Sequence, residues 1–98
     1  MKVESKNIGI IKDPVLSMGY NKFDVDEMGL TKVTIGFEKT SLSEFININE
    51  VRVNDTLKFS GANLCVSMKV FEVCDYGNEI SVMGKVNLDI FNAIYRSK

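Results

Sequence analysis

Residues 30–37, LTKVTIGF, carry the pattern that decides the fold class of this 98-residue chain. Val33, Ile35 and Phe37 alternate with polar or small residues, so their side chains share one face of an extended segment. Alternation with a period of two residues is typical of a strand that buries one face and exposes the other. This segment therefore predicts a strand of an antiparallel sheet.

Similar apolar alternation lies on both sides of this segment. It predicts further strands at Ile8–Ile11, Tyr20–Val25, Val51–Phe59, Asn63–Cys74 and Glu79–Leu88. Turns rich in Gly, Asn and Asp separate these strands at residues 26–29, 60–63 and 75–78. The residues predicted to face the core of these strands are Val51, Val53, Leu57, Phe59, Leu64, Val66, Met68, Val70, Ile80, Val82, Val86 and Leu88.

The predicted strand at residues 63–74 changes parity along its length. Its apolar side chains are at even positions as far as Val70, and Phe71 and Val73 then continue at odd positions. A β-bulge near Val70 and Phe71 would return Phe71 and Val73 to the core face. The alternative is a strand with both faces partly buried.

A short helix is predicted at the C-terminal end of the sequence. Asp89 is its predicted N-cap, and Ile90, Phe91, Ile94 and Tyr95 form its apolar stripe. Residues 41–44, SLSE, have capping-box spacing, but the apolar residues after them also suit an extended chain. The fold class predicted is mainly β: a small antiparallel barrel or compact sandwich of six to seven strands with a short C-terminal helix. We expect one domain over residues 1–98.

The composition excludes several kinds of chemistry. The chain has no His, which removes Ser-His-Asp triads, Cys-His pairs and imidazole metal ligands. Its net charge is −1 and it contains only two Arg, so generic nucleic-acid binding is unfavourable. We therefore expect a protein that is not an enzyme and that has no metal or other cofactor.

The sequence also gives expectations about location. It has no run of 18 apolar residues and its N-terminus lacks the apolar region of a secretory signal, so we expect neither membrane insertion nor secretion. Cys65 and Cys74 lie on one predicted strand, roughly 30 Å apart. A disulfide needs Cα atoms within about 7 Å. We therefore expect two reduced, mostly buried thiols in a cytoplasmic protein.

Residues 24–29, DVDEMG, begin like a calcium-binding EF-hand loop. Such a loop needs an oxygen ligand at its fifth position and Glu at its twelfth, where this chain has Met28 and Ile35. The segment instead predicts an acidic hairpin turn with Gly29 in the left-handed conformation.

The same segment resembles the D/N-x-S-x-x-G motif of PilZ domains through Asp24, Asp26 and Gly29. PilZ domains are small β-barrels, often with a C-terminal helix, that can bind cyclic di-GMP. Asp26 stands where that family has Ser, and residues 1–23 contain no Arg to form its upstream R-x-x-x-R motif. The resemblance implies a similar fold and does not extend to the residues that would grip phosphates.

Lysines and aromatic residues are neighbours at residues 22–23, 58–59 and 69–71. On an OB-fold such residues stack bases and hold phosphates. However, Phe59 and Phe71 fall on the predicted apolar faces, so core packing is the preferred interpretation.

Small size, the absence of His and many strand edges favour a non-catalytic protein-protein interaction module, with homo-oligomerisation through a sheet edge as one form. A short chain rich in Asn, Lys and Ile is also typical of small phage or mobile-element proteins, such as inhibitors of a host protein and virion components. The candidate partner-binding residues lie at the predicted hairpin tips and edges and include an aromatic and several acidic side chains: Tyr76, Asn78, Glu79, Asp26, Glu27 and Met28.

The alternative is a small-ligand or nucleotide-binding β-barrel, PilZ-like or OB-like. It requires a cluster of positive charges that the fold must assemble from distant positions. The residues available for this cluster are Lys22, Lys32, Arg52, Lys58, Lys69 and Lys85.

Overall fold

The computed structural model describes residues 1–39 and 51–96, which form seven β-strands and one α-helix. The strands are β1 (Lys2–Ser5), β2 (Gly9–Lys12), β3 (Leu16–Val25), β4 (Thr31–Glu38), β5 (Thr56–Gly61), β6 (Leu64–Asp75) and β7 (Glu79–Val86), and the helix is α1 (Leu88–Tyr95). The mainly β fold class, the number of strands and the C-terminal helix are confirmed.

The seven strands form one antiparallel sheet in the order β2-β1-β5-β6-β7-β4-β3. Hairpins join β1 to β2, β3 to β4, β5 to β6 and β6 to β7, and two ladders between distant segments join β1 to β5 and β4 to β7. The sheet is not closed, since β2 and β3 are its two ends in the described part of the chain. Ile11 of β2 and Leu16 of β3 nevertheless share one core cluster, consistent with a barrel-like or sandwich-like fold.

The alternation in β4 places its apolar residues in the core as predicted. Val33, Ile35 and Phe37 are at most 1% exposed. Ile35 and Phe37 pair with Val82 and Ile80 of β7, which are also buried. Residues that pair directly have side chains on the same side of a sheet. We call this side the inner face and the opposite side the outer face.

Helix α1 covers the inner face over β5 and β6. Phe91 and Ile94 are fully buried, and the Phe91 ring meets the ring of Phe59 edge to face at a centroid distance of 5.0 Å. The Tyr95 hydroxyl donates a hydrogen bond to the Leu16 carbonyl oxygen, 3.3 Å away. The helix thus connects the central strands to edge strand β3.

The N-cap of α1 differs from the prediction. Asn87, not Asp89, is the N-cap, since its side-chain oxygen accepts a hydrogen bond from the Ile90 N–H at 3.2 Å. Asn is as good an N-cap as Asp, and Leu88, assigned from its parity to the last strand, begins the helix. Asp89 lies in the first turn, where its negative charge interacts favourably with the helix dipole.

The predicted strand at residues 51–59 begins only at Thr56. The preceding residues form a turn in which the Asp55 carboxylate accepts from the Arg52 N–H at 2.8 Å, while the Asp55 N–H donates to the Arg52 carbonyl at 3.1 Å. Val53 lies in this turn and is 50% exposed. Its assignment to the core was wrong because the turn interrupts the alternation.

The β5–β6 connection is a two-residue turn. Ala62 and Asn63 both have positive φ, 51° and 61°, and Gly61 pairs with Leu64 on either side of them. Leu64 was predicted to be buried but is 42% exposed. It occupies the terminal pair of the ladder, beyond the reach of the core.

The bulge predicted in β6 is present. A register shift between Val70 and Glu72 leaves Phe71 as the extra residue. Beyond the shift Val73 pairs with Val82, so the bulge returns Val73 to the inner face. Phe71 is not returned to the core and is 42% exposed.

Two further expectations about helices come from the sequence, a candidate helix start at residues 41–44 and no membrane-spanning segment. The capping-box pattern at residues 41–44 lies outside the described residues. Within residues 1–39 and 51–96, no helix has the length and apolar character needed to cross a membrane.

Candidate functional site

The six predicted partner-binding residues fall into two groups at opposite ends of β4. The β3–β4 turn contains Asp26, Glu27 and Met28, whereas the β6–β7 turn and the start of β7 contain Tyr76, Asn78 and Glu79. The eight residues of β4 separate the two turns by about 25 Å. The fold therefore does not bring the two groups into one surface.

Asp26 holds the β3–β4 turn together. Its Oδ1 accepts hydrogen bonds from the N–H groups of Met28 (2.9 Å) and Leu30 (3.0 Å), and its Oδ2 lies 3.3 Å from Lys85 Nζ. The hydrogen bond from Leu30 is the largest cause that lowers the pKa of Asp26 below its ordinary value. Gly29 has a φ of 78°, as predicted for this turn.

Edge strand β3 contains a wide bulge beside this turn. Residues 21–24 oppose the single residue Lys32 of β4 between two regular pairs. The Phe23 N–H donates to Asn21 Oδ1 at 3.0 Å, and Lys22 Nζ lies 5.2 Å from the centroid of the Phe23 ring. These contacts give the bulge a defined conformation.

Phe23 and Met28 are the most exposed large apolar side chains of the described residues, at 83% and 82%. Tyr20 and Val25, on the same strand as Phe23, are about half exposed. We call these four residues the hairpin surface. Sequence reasoning identified Met28 but missed Phe23, for which the available signal was Asn21, a turn-forming residue inside a predicted strand.

Asp75 organises the β6–β7 turn at the other end of the sheet. Its Oδ1 accepts from Lys39 Nζ and from the Gly77 N–H, both at 2.8 Å. The bond from Lys39 is the main reason why the pKa of Asp75 is lowered. Tyr76 is 66% exposed, and its hydrogen bond with Cys74 is the largest cause that raises its pKa. Tyr76 therefore contacts its own hairpin while most of its surface stays exposed.

Glu79 and Asn78 also make contacts within the fold. The Ser17 hydroxyl donates to Glu79 Oε1 at 2.8 Å, which holds Glu79 against Gly36, where a side chain would clash. The Asn78 carbonyl accepts from the Lys39 N–H at 3.0 Å. Both residues thus support the connection between the β6–β7 turn and neighbouring strands.

The outer face brings three lysines into one row across three strands. Lys69 of β6 pairs with Lys85 of β7, and Lys85 pairs with Lys32 of β4. Neighbouring strands lie about 4.8 Å apart, so the row spans about 10 Å. Like charges that are directly opposite destabilise a sheet, and Asp26 beside Lys85 offsets only part of this repulsion. We call Lys32, Lys69 and Lys85 the lysine row.

Phe71 lies beside the lysine row on the outer face. Lys32 Nζ is 5.5 Å from the centroid of the Phe71 ring. The assignment of Phe71 to the core was wrong because the bulge turns this side chain outward. The ring helps to line a depression of about 500 Å³, whose other lining residues are Leu30, Asn54, Thr56, Ser67, Lys69, Val70 and Lys85.

The other three candidate cations lie elsewhere. Lys58 is 3.8 Å from Glu4 on β1, and Lys22 lies over Phe23. Arg52 belongs to the turn before β5. The fold therefore assembles three of the six cations considered for a ligand site.

Cys65 and Cys74 lie on the same strand, β6, and both are free. Cys65 is exposed and Cys74 is half-buried, so the expectation of mostly buried thiols is wrong for Cys65. Cys65 is the second residue of β6 and lies opposite Ser60, on the outer face. Within the described residues, no group of three or more Cys, Asp or Glu side chains is arranged to hold a metal ion.

Comparisons of this chain with family models, with curated proteins and with solved structures find no match. The function is therefore inferred from the geometry of the chain itself.

Proposed function

We propose that this chain is a non-catalytic protein-interaction module that binds its partner through the hairpin surface. The observation that carries the proposal is the 83% exposure of Phe23 in a bulge of defined conformation. Burying a fully exposed Phe side chain stabilises a complex by about 1.5–3 kcal/mol. Aromatic side chains that fill a partner's pocket are typical energetic centres of protein interfaces.

Hydrogen bonds hold the hairpin surface in place before any partner binds. Asn21 accepts from the Phe23 N–H, and Asp26 accepts from the N–H groups of Met28 and Leu30. Because these backbone segments are already ordered, binding costs less conformational entropy than it would in a flexible loop.

The bulge in β3 determines the mode of binding. An edge strand offers unpaired backbone groups to which a partner can add a strand. In β3, however, residues 21–24 interrupt the regular pairing, and the regular stretch before them covers only residues 16–20. Insertion of the Phe23 side chain is therefore favoured over a continuous added strand, including a strand from a second copy.

The charges near Phe23 define the chemistry of the partner. Lys22 lies over the Phe23 ring, so an apolar pocket with a carboxylate at its rim is complementary to both side chains. The depression on the outer face of a second copy is a poor pocket for Phe23, since Lys69 and Lys85 line it and would repel Lys22. We therefore favour a different protein as the partner, as for a host-protein inhibitor or a virion component, and self-association is tested separately below.

Affinity capture from extract of the source organism, with quantitative mass spectrometry, tests this proposal. The wild-type chain is compared with Phe23→Ser and with the matched control Ile10→Ser. Ile10 is 50% exposed on β2, at the opposite edge of the sheet. We expect a partner that is captured by the wild type and the control and lost with Phe23→Ser. Calorimetry with the purified partner should show at least about tenfold weaker binding.

Two further variants distinguish binding at the β3–β4 turn from binding at the β6–β7 turn. Glu27→Lys reverses the charge beside Met28 and should also change the affinity for the partner, whereas Tyr76→Ala should have no effect. Loss of the partner with Tyr76→Ala but not with Phe23→Ser would place the interface at the β6–β7 turn and contradict the proposal. A wild-type dimer in sedimentation velocity that Phe23→Ser dissociates would identify a second copy as the occupant and would also contradict it.

A further inference from the structure

We propose a second binding site on the outer face, at which the lysine row holds the phosphate of a nucleotide and Phe71 stacks on its base. This site uses residues other than those of the hairpin surface and does not depend on the protein-interaction proposal. The nucleotide is either free or one unit of a single-stranded nucleic acid, since both present the same phosphate and planar base.

The lysine row supplies a local excess of positive charge. The three positive charges of the row lie beside Asp26, and Glu72 is one outer-face position beyond them, which leaves a local excess of one positive charge in a chain whose net charge is −1. Duplex-binding proteins neutralise many phosphates with an extended basic surface. A row of about 10 Å is suited to one or two phosphates instead.

The depression beside the row has the size and the lining for a nucleotide. Its volume of about 500 Å³ lies in the usual range of small-ligand sites. Asn54, Thr56 and Ser67 line it with side chains that can hydrogen-bond to a sugar or a base. The Asn54 N–H donates to the Val70 carbonyl oxygen at 2.7 Å, which fixes this wall to β6.

Phe71 supplies the aromatic surface of the site. Its ring is 42% exposed, lines the depression and lies beside Lys32. Aromatic rings stack on bases of any sequence, and the lysines of such sites neutralise the neighbouring phosphates. The bulge that removes Phe71 from the core therefore places it where a base can reach it.

Glu72 provides a way to strengthen binding by substitution. It is exposed and pairs with Met83, one outer-face position beyond the lysine row. Its negative charge repels a phosphate bound at the row. We therefore expect Glu72→Gln to increase affinity for a nucleotide.

Binding is measured at low salt with a short fluorescent oligothymidylate by anisotropy, and with AMP and inorganic phosphate by calorimetry. Lys69→Glu should weaken nucleotide binding about tenfold or more. The matched control Lys12→Glu makes the same charge change on exposed β2 and should leave binding unchanged. In Lys69→Glu, the slope of log affinity against log salt should become less negative by about 0.7 for each phosphate that the row no longer neutralises.

Phe71→Leu separates stacking from charge. It should weaken binding of the base-bearing probes by about fivefold or more and leave phosphate binding unchanged. If Lys69→Glu does not give the circular dichroism spectrum of the wild type, Lys69→Gln and Lys85→Gln replace it as the variants that reduce the charge of the row. Binding of the oligothymidylate alone identifies a single strand as the ligand, and binding of AMP identifies a free nucleotide. Absence of binding to both, an equally large weakening with Lys12→Glu, or no effect of Phe71→Leu would overturn the proposal.

Discussion

The substitution Gly84→Ala tests how closely β6 and β7 approach each other beside the lysine row. Gly84 is buried, and a Cβ added to it would clash with Met68 Cγ and would lie 2.6 Å from the Lys69 carbonyl oxygen. The Met68 side chain can change rotamer, but the Lys69 carbonyl belongs to the backbone of β6. Alanine can therefore be accommodated only if the two strands move apart locally.

The expected change in the free energy of unfolding of Gly84→Ala is the sum of two opposing contributions. Overpacking of a core position costs about 1–3 kcal/mol. Alanine also lowers the conformational entropy of the unfolded chain, which stabilises the folded state by about 0.4–1 kcal/mol. Because the added Cβ meets a backbone atom, the overpacking cost lies in the upper half of its range, and we expect Gly84→Ala to lower the free energy of unfolding by about 1–2.6 kcal/mol. In a domain of this size that corresponds to a fall in Tm of roughly 4–21 °C.

Gly19→Ala is the matched control, because it makes the same change in another strand. Gly19 lies in β3, its φ is not positive, and a Cβ added there would meet no atom within 4 Å. This variant should be more stable than the wild type by about 0.4–1 kcal/mol. Urea denaturation followed by circular dichroism at 25 °C gives both values.

The test is whether Gly84→Ala is less stable than the wild type while Gly19→Ala is more stable. If Gly84→Ala is as stable as the wild type, β6 and β7 are not packed closely enough to exclude a methyl group, and the reasoning is refuted. If both variants are destabilised equally, the destabilisation comes from a general cost of alanine in these strands rather than from the Lys69 carbonyl.

Three further predictions concern charge, thiols and the helix. Lowering the pH from about 5 to below 3.8, the ordinary pKa of an Asp side chain, should destabilise the wild type more than Asp26→Asn in urea unfolding. The pKa of Asp26 is lowered in the folded protein, so its stabilisation is complete above the ordinary pKa and is lost as the pH falls through the lowered pKa; equal pH dependence would contradict this. Cys65 should react with a maleimide before Cys74 in short labelling followed by peptide mass mapping, since Cys65 is exposed and Cys74 is half-buried; the reverse order would contradict their placement. Tyr95→Phe removes the hydrogen bond to the Leu16 carbonyl and should lower the free energy of unfolding in urea by about 0.5–1.5 kcal/mol, whereas no change would mean that this bond does not hold α1 to β3.

Burial in the regular strands could be predicted from the sequence because it depends on local alternation alone. Ile35 in β4 and Val82 in β7 are fully buried at the positions that the alternation indicates. The bulge in β6 could also be located, since two apolar sets of opposite parity meet at Val70 and Phe71. A strand that must keep one apolar face inside has to change register at such a junction.

Alternation fails where the backbone leaves the regular strand. Val53 has the parity of a core residue, but the turn closed by Arg52 and Asp55 turns it outward. Phe71 lies where the two apolar sets of opposite parity meet, so alternation alone does not decide which face its side chain takes. The geometry of the bulge places it on the outer face. Neither outcome can be read from hydrophobicity, because both depend on which backbone hydrogen bonds form.

The lysine row could not be predicted because it depends on pairing between distant strands. Lys32, Lys69 and Lys85 are far apart in the sequence and meet through the registers of β4 with β7 and of β6 with β7. A shift of one residue in either ladder would move a lysine to the inner face. The sequence supplies the charges, and the tertiary registers decide which of them meet.

The strand order also determines when the sheet can be completed during synthesis. β5, β6 and β7 are made last but occupy its centre, and the hairpins of β1–β2 and β3–β4 attach to opposite sides of them through β1–β5 and β4–β7. Both hairpins therefore leave the ribosome before the strands with which they pair. Closing such long loops loses chain entropy before any favourable interaction compensates for it, which slows folding. An N-terminal fragment that ends before β5 lacks the strands to which its two hairpins attach, so the sheet can be completed only after β7 has been made.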